Sequence, residues 1–122
     1  MMDQPSMQEI VEVVRTFLET RAMPELKGHT QFHARVAANA LGIVARQLAQ
    51  GDAAAASERE GLIALLGHDG PLDELNRELC RKIREGMIGL ETPGFGDHLK
   101  KTTKDKVLID QPTYSGLKQA SR

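Results

Sequence analysis

The sequence predicts an all-α fold, a compact bundle of about five helices with a central Ala-rich helix. Three observations lead there. Apolar residues recur at helical spacing in several segments. Aromatic residues are scarce, with three Phe, one Tyr and no Trp, so a core must come from Leu, Ile, Val, Ala and Met. No alternating strand pattern, Asn-Gly hairpin or fixed-period repeat is visible.

The first helix is expected from Ser6 to about Arg21. Ser6 and Glu9 have capping-box spacing, which satisfies amides left without partners at a helix start. Ile10, Val13, Val14, Phe17 and Leu18 then make an apolar stripe opposite Glu12, Arg15 and Glu19. Pro24 to Gly28 reads as a connection. The second helix, Phe32 to Gln50, is expected to close at Gly51, a residue able to take the left-handed cap conformation. Its polar positions Arg35, Asn39, Gly42 and Arg46 share one narrow sector. The rest of its circumference is apolar and rich in alanine, so neighbours are expected to wrap it on several sides.

A third helix spans roughly Ala53 to Leu66 and ends at the tetrad Gly67-His68-Asp69-Gly70. Pro71 at a first helical position opens a fourth, which reaches about Glu85, stops at Gly86 and buries Leu72, Leu75, Leu79 and Ile83. The glycine-rich stretch Gly86 to Gly96 is expected to be a flexible connector. Gly89 and Gly94 have P-loop separation, but Phe95 stands where the lysine belongs and no strand precedes them. A fifth helix runs from about Phe95 to Asp110 and ends at Pro112. The domain reading is one helical domain over residues 1–112, with 113–122 a partly disordered tail.

With 16 Lys and Arg against 17 Asp and Glu over 122 residues, the net charge of -1 gives no bulk electrostatic reason to expect nucleic acid or a membrane surface. The charge is uneven, however. Residues 98–122 carry six Lys and Arg against two Asp, and Lys100, Lys101, Lys104 and Lys106 crowd one helix. That face is either solvated or docks an acidic partner or phosphorylated ligand; no aromatic residues interleave with it as nucleic-acid binding favours. The N-terminus lacks a basic region followed by an apolar one, and no window approaches a membrane span. A lone cysteine, Cys80, fits a reducing compartment and, on the edge of a helix's apolar face, reads as core filler. A soluble cytoplasmic protein without membrane attachment is expected.

Candidate chemistry rests on polar residues set among apolar ones. His33 falls inside the apolar arc of the second helix and Asn76 inside that of the fourth. A buried polar group without a partner costs about 1 to 3 kcal/mol, so each needs a specific companion. One reading makes them ties between helices. The other makes them a pocket in which His33 titrates near neutral pH, Asp69 or Asn76 fixes its tautomer, and His68 supplies a second imidazole. His29 and His33 are four apart, a spacing that suits a metal, but Thr30 is a good N-cap that would leave His29 outside the helix. No metal and no cofactor is therefore expected.

The strings FHARVAANALGIVARQL, LLGHDGPLDELNRELCRKIREG and VLIDQPTYS resemble an uncharacterised bacterial helical family, a domain of unknown function. Its members are found beside, or loosely described as, aminoglycoside-phosphotransferase-like and acyl-CoA-dehydrogenase-like proteins. The resemblance covers most of the chain from Phe32 onward and implies no catalytic residue. This chain has neither a kinase catalytic loop nor room for a flavin-binding dehydrogenase. The positions matching the family strings, His33, Arg35, Asn39, His68, Asp69, Asn76 and Arg77, are the candidate pocket.

The leading expectation is a non-enzymatic accessory or interaction module. It would bind a homodimer partner, or a phosphotransferase-like or acyl-CoA-dehydrogenase-like protein, through an exposed helix face. The alternative is a small-molecule binder or enzyme with a polar pocket around His33, His68, Asp69 and Asn76.

Overall fold

A computed structural model describes residues 4–120 and is all-α, with no strand among the described residues. Contacts divide the chain into two compact units, Met1–Gly51 and Asp52–Arg122. The helices are α1 (Met7–Phe17), a π-helical turn (Leu18–Ala22), α2 (Met23–Glu25), α3 (Gly28–Leu66), α4 (Leu72–Arg84), α5 (Phe95–Asp110) and α6 (Gly116–Ala120).

In the first unit, Ser6 caps α1 as its sequence predicts: its hydroxyl accepts from the Glu9 N–H at 3.1 Å. The helical path then widens by one turn, where the Thr20 hydroxyl donates to the Thr16 carbonyl at 2.6 Å. Pro24 is carried inside the first turn of α2, where a proline costs no helical hydrogen bond. Leu26 is extended and ends the run. Gln31 Nε2 donates to the Met23 carbonyl at 2.8 Å, tying α2 to α3.

Helix α3 departs from expectation at both of its predicted ends. It starts at Gly28, so His29 and Thr30 lie within it and Thr30 does not cap. It also passes through Gly51, merging the second and third expected helices into one of 39 residues. A glycine costs a helix about 1 kcal/mol relative to alanine. Here it is followed by Asp52 and four consecutive alanines, which sustain the helix across it.

The wrapped Ala-rich helix is the larger correction. The buried residues between Phe32 and Gln50 are Ala34, Ala38, Gly42 and Ala45, all small and all along one line. Arg15 of α1 lies over Gly42: a Cβ added there would sit 3.4 Å from the guanidinium carbon. The large apolar side chains elsewhere round this part of α3 are open, with Phe32, Val36, Val44 and Leu48 each 41 to 59% exposed. His33 is exposed too, so the imidazole is not held in a core.

The second unit has a conventional core. Leu62, Leu66, Leu75, Leu79, Ile88 and Phe95 form one cluster, with Leu62 and Leu75 fully covered. Gly67 ends α3 in the left-handed conformation at φ 83°, its N–H donating to the Ile63 carbonyl at 2.8 Å. Pro71 sits one place earlier than predicted, at the N-cap of α4. Asp73 and Glu74 in the first turn and Arg81, Lys82 and Arg84 in the last complement the helix dipole. Gly86 closes α4 at φ 75°, as its position predicts.

The stripe on α4 is narrower than expected, because Ile83 is 40% exposed and Cys80 is exposed rather than filling the core. Cys80 lies about 100° around the helix from Leu79, beyond the covered arc. The glycine-rich connector is anchored at both ends by buried Ile88 and Phe95. Within it the Gly89 N–H donates to the Thr92 hydroxyl and the Thr92 N–H returns to the Gly89 carbonyl. Residues 116–120 of the predicted tail form α6.

The two ways of reading Gly51 differ in sign. As a helix-interior residue whose added Cβ meets only the flexible end of Gln47, Gly51→Ala should raise stability by about 0.5 to 1 kcal/mol. Thermal unfolding by circular dichroism checks this. A fall in Tm would restore the left-handed cap.

Candidate functional site

The second unit holds two polar clusters. The first is the turn after α3. His68 Nδ1 is 3.0 Å from the Asp69 carbonyl and Nε2 is 2.6 Å from Glu78 Oε2. Both partners can only accept, so only the protonated ring can make both hydrogen bonds, and the turn favours the imidazolium. The Asp69 carbonyl first, and then the Glu78 carboxylate, raise the His68 pKa above 6.5. Asp69 in turn accepts from the Gly70 N–H at 2.6 Å and from the Arg59 guanidinium. These two contacts, the backbone one foremost, hold its carboxyl below the usual range. Arg59 Nε also donates to the Gly70 carbonyl at 3.1 Å. The result is a hydrogen-bonded clasp in which His68 is a donor on both sides, not a base poised to take a proton.

The second cluster lies at the edge of the core and draws on α3, α4 and α5. Glu58 sits one helical turn before Leu62 on the same face, and its side chain is only 14% exposed. Its Oε1 accepts from Asn76 Nδ2 at 3.3 Å and lies 3.5 Å from Lys106 Nζ. A carboxylate so far withdrawn from water is stabilised by such partners. His98 closes the cluster from α5. Its ring presses against Gly61, where a Cβ would fall 2.2 Å from Nδ1, so the glycine is needed for the helices to meet here. Burial pushes the His98 pKa below 6.5; Glu58 opposes the shift and Lys106 reinforces it. The Thr102 hydroxyl donates to the His98 carbonyl at 2.9 Å.

The predicted candidate residues divide between the units. His33, Arg35 and Asn39 belong to the first and are exposed. The only ring contact described for His33 is with Phe32, edge-on at 5.6 Å. His68 and Asp69 are brought together in the clasp of the second unit. Asn76 is half-buried and finds a specific partner, as expected of it, but that partner is Glu58. Arg77 is exposed, 3.8 Å from Asp73 along its own helix. Arg59, Glu58, Gly61 and His98 were missed, and Lys106, expected on a solvated or docking lysine face, pairs instead with Glu58. For Glu58 a signal existed: the spacing Glu58, Leu62, Leu66 places it squarely on an apolar stripe. His29 and His33 do share a helix face, yet among the described residues no group of three His, Cys, Asp or Glu could hold a metal ion. No described helix is long and apolar enough to cross a membrane.

A family profile for DUF6285, a domain of unknown function, matches residues 24–114. The chain belongs to the DUF6285 family. Comparison with curated proteins and with solved structures returned no match. The DUF6285 region takes in α2 through α5, and so contains both polar clusters, while α1 and α6 lie outside it.

The two histidines pull stability in opposite directions with pH. His68, raised in the folded state, adds stability that is complete below the unfolded pKa of about 6.5 and fades as pH rises through the folded value. His98, depressed in the folded state, adds stability that is present above about 6.5 and is lost as pH falls through its folded pKa. Accordingly His98→Gln should flatten the decline of Tm on the acid side, and His68→Gln the decline on the neutral-to-alkaline side. Melting curves across pH test the assignment, and the reverse pattern would refute it.

Proposed function

We propose that this DUF6285 protein is a helical interaction module whose first unit pairs with a second copy of itself. One observation carries the reading. Helix α1 is amphipathic, yet its polar Arg15 is half-buried against α3 while Met7, Ile10, Val13, Val14 and Phe17 are 40 to 68% exposed. Met7, Ile10, Val14 and Phe17 have the 3-4-3 spacing of a coiled-coil seam.

The seam is self-complementary. Antiparallel pairing about a two-fold axis midway between Ile10 and Val14 sets Met7 against Phe17 and Ile10 against Val14, which is the isologous geometry of a symmetric dimer. Covering the five side chains on both copies contributes about 8 to 15 kcal/mol. That offsets association costs of several kcal/mol and leaves an affinity near micromolar. The exposed apolar side of α3, from Phe32 to Leu48, offers a further surface of the same kind.

A bacterial phosphotransferase-like or acyl-CoA-dehydrogenase-like enzyme, the partner suggested by the family resemblance, is the competing occupant of the same face. An exposed, unpaired Cys80 favours a reducing compartment such as the cytoplasm.

Val14→Glu places a charge in the centre of the seam without touching either core. Burying it unpaired should weaken dimerisation by about 100-fold or more while leaving helix content unchanged, and Tm unchanged at protein concentrations below micromolar where neither chain is paired. Sedimentation equilibrium of the two proteins checks this. A native chain that stays monomeric well above micromolar concentration would overturn the reading.

A further inference from the structure

The C-terminal part of the second unit carries a surface that the pairing of α1 does not use. Helices α5 and α6 enclose an open groove of about 330 Å³, at the lower end of the size range of small-molecule sites. Its walls are apolar: Leu99 and Val107 from α5, Leu117 from α6, and the ring of Tyr114. Gly116 makes room for that ring, since a Cβ there would lie 2.4 Å from it. A side chain at this position would push Tyr114 away and open the end of the groove.

The lysines of α5 divide by what they face. Lys101 pairs with Asp105 at 3.1 Å and Lys106 with Glu58 at 3.5 Å, both away from the groove. Lys100 and Lys104, one turn apart, are the two that line it, and neither has an ion-pair partner among the described residues. Lys104 is half-buried all the same. No acidic residue lines the groove. An apolar trough edged by two unneutralised ammonium groups complements a molecule with an apolar tail and a negative head. It disfavours neutral apolar compounds, which leave the two charges beside an apolar surface with nothing to answer them, and it repels cationic amphiphiles.

We propose that the α5–α6 groove is a binding site for a small amphiphilic anion: a medium-length alkyl chain lies along Leu99, Val107, Leu117 and Tyr114, and a carboxylate or phosphate head is held by Lys100 and Lys104. The modest volume excludes a long-chain lipid from full enclosure. Binding is a property of the second unit and does not require association through α1.

The test is titration of the full chain by isothermal calorimetry with decanoate, decyl phosphate, decanol and decyltrimethylammonium, all below micelle formation, and with inorganic phosphate. Fluorescence of Tyr114, the only tyrosine in a chain without tryptophan, reports whether the groove itself is filled. Decanoate and decyl phosphate should bind with a change in Tyr114 emission, and decanol and decyltrimethylammonium at least about tenfold more weakly, the size of a lost charge-assisted contact. A difference between the two anions identifies the preferred head group. Lys100→Glu with Lys104→Glu should remove the preference for anions while leaving Tm unchanged, because neither lysine has an ion-pair partner to lose among the described residues. Leu117→Gln should weaken both anions with the lysines intact. Val14→Glu should bind as the native chain does, which separates this site from the pairing reading. Equal affinity for all four head groups, binding of inorganic phosphate as tight as that of decyl phosphate, no binding of either anion, or unchanged binding in the double lysine variant would each overturn the proposal.

Discussion

The line of small residues along the first half of α3 sets the terms for everything around it. Ala34, Ala38, Gly42 and Ala45 are what this stretch buries, and Gly42 lets the Arg15 side chain lie against the helix backbone. Small side chains permit close approach but remove little apolar surface from water, because burial stabilises in proportion to area. The large side chains that could have built a core, Ile10, Val14 and Phe17 on α1 and Phe32, Val36, Val44 and Leu48 on α3, are left facing out. A run of exposed apolar residues on one helix is uncommon in a protein that works alone. The pairing proposed for α1 follows from that imbalance, and so does the readiness of the same face to accept another partner.

The second unit solves its packing differently. Leu62 and Leu75 are fully covered, and the half-buried Glu58, Asn76 and His98, with the exposed Lys106, meet at the edge of the core around them. A carboxylate at that depth needs the amide and the ammonium that meet it; removing either partner leaves part of it unanswered. Such a cluster adds little net stability over a well-packed apolar one, but it ties α3, α4 and α5 in one register. The clasp around His68 and Asp69 does similar work at the solvent edge, where exposed ion pairs contribute little and backbone hydrogen bonds to the turn do more to fix its shape.

Much of the fold was legible because it is written in local chemistry. Ser6 caps, Gly86 stops a helix, and Phe95–Asp110 is a helix between a glycine and a proline, each decided by a few neighbouring residues. Gly51 was misread because glycine suits both a cap and an interior position, and the choice fell to the alanines that follow it. His33 was misread for another reason. Helical periodicity shows which residues share a face, but not whether another element covers that face, and here only the small-residue line is covered. Glu58 was passed over because a carboxylate is normally solvated; its register with Leu62 and Leu66 was the available warning. His98 and Lys106 could not have been joined to it from sequence, since the meeting depends on where α5 returns after a connector rich in glycine.

The central claim is that the exposed seam of α1 is where two copies meet. A dilution series followed by methyl-detected NMR on the native chain examines it residue by residue. The account predicts concentration-dependent shifts at the methyl groups of Ile10, Val13 and Val14, with those of Leu62 and Leu75 unmoved. Spectra that do not change from millimolar to micromolar protein, or that change only among the core methyl groups of the second unit, would contradict it.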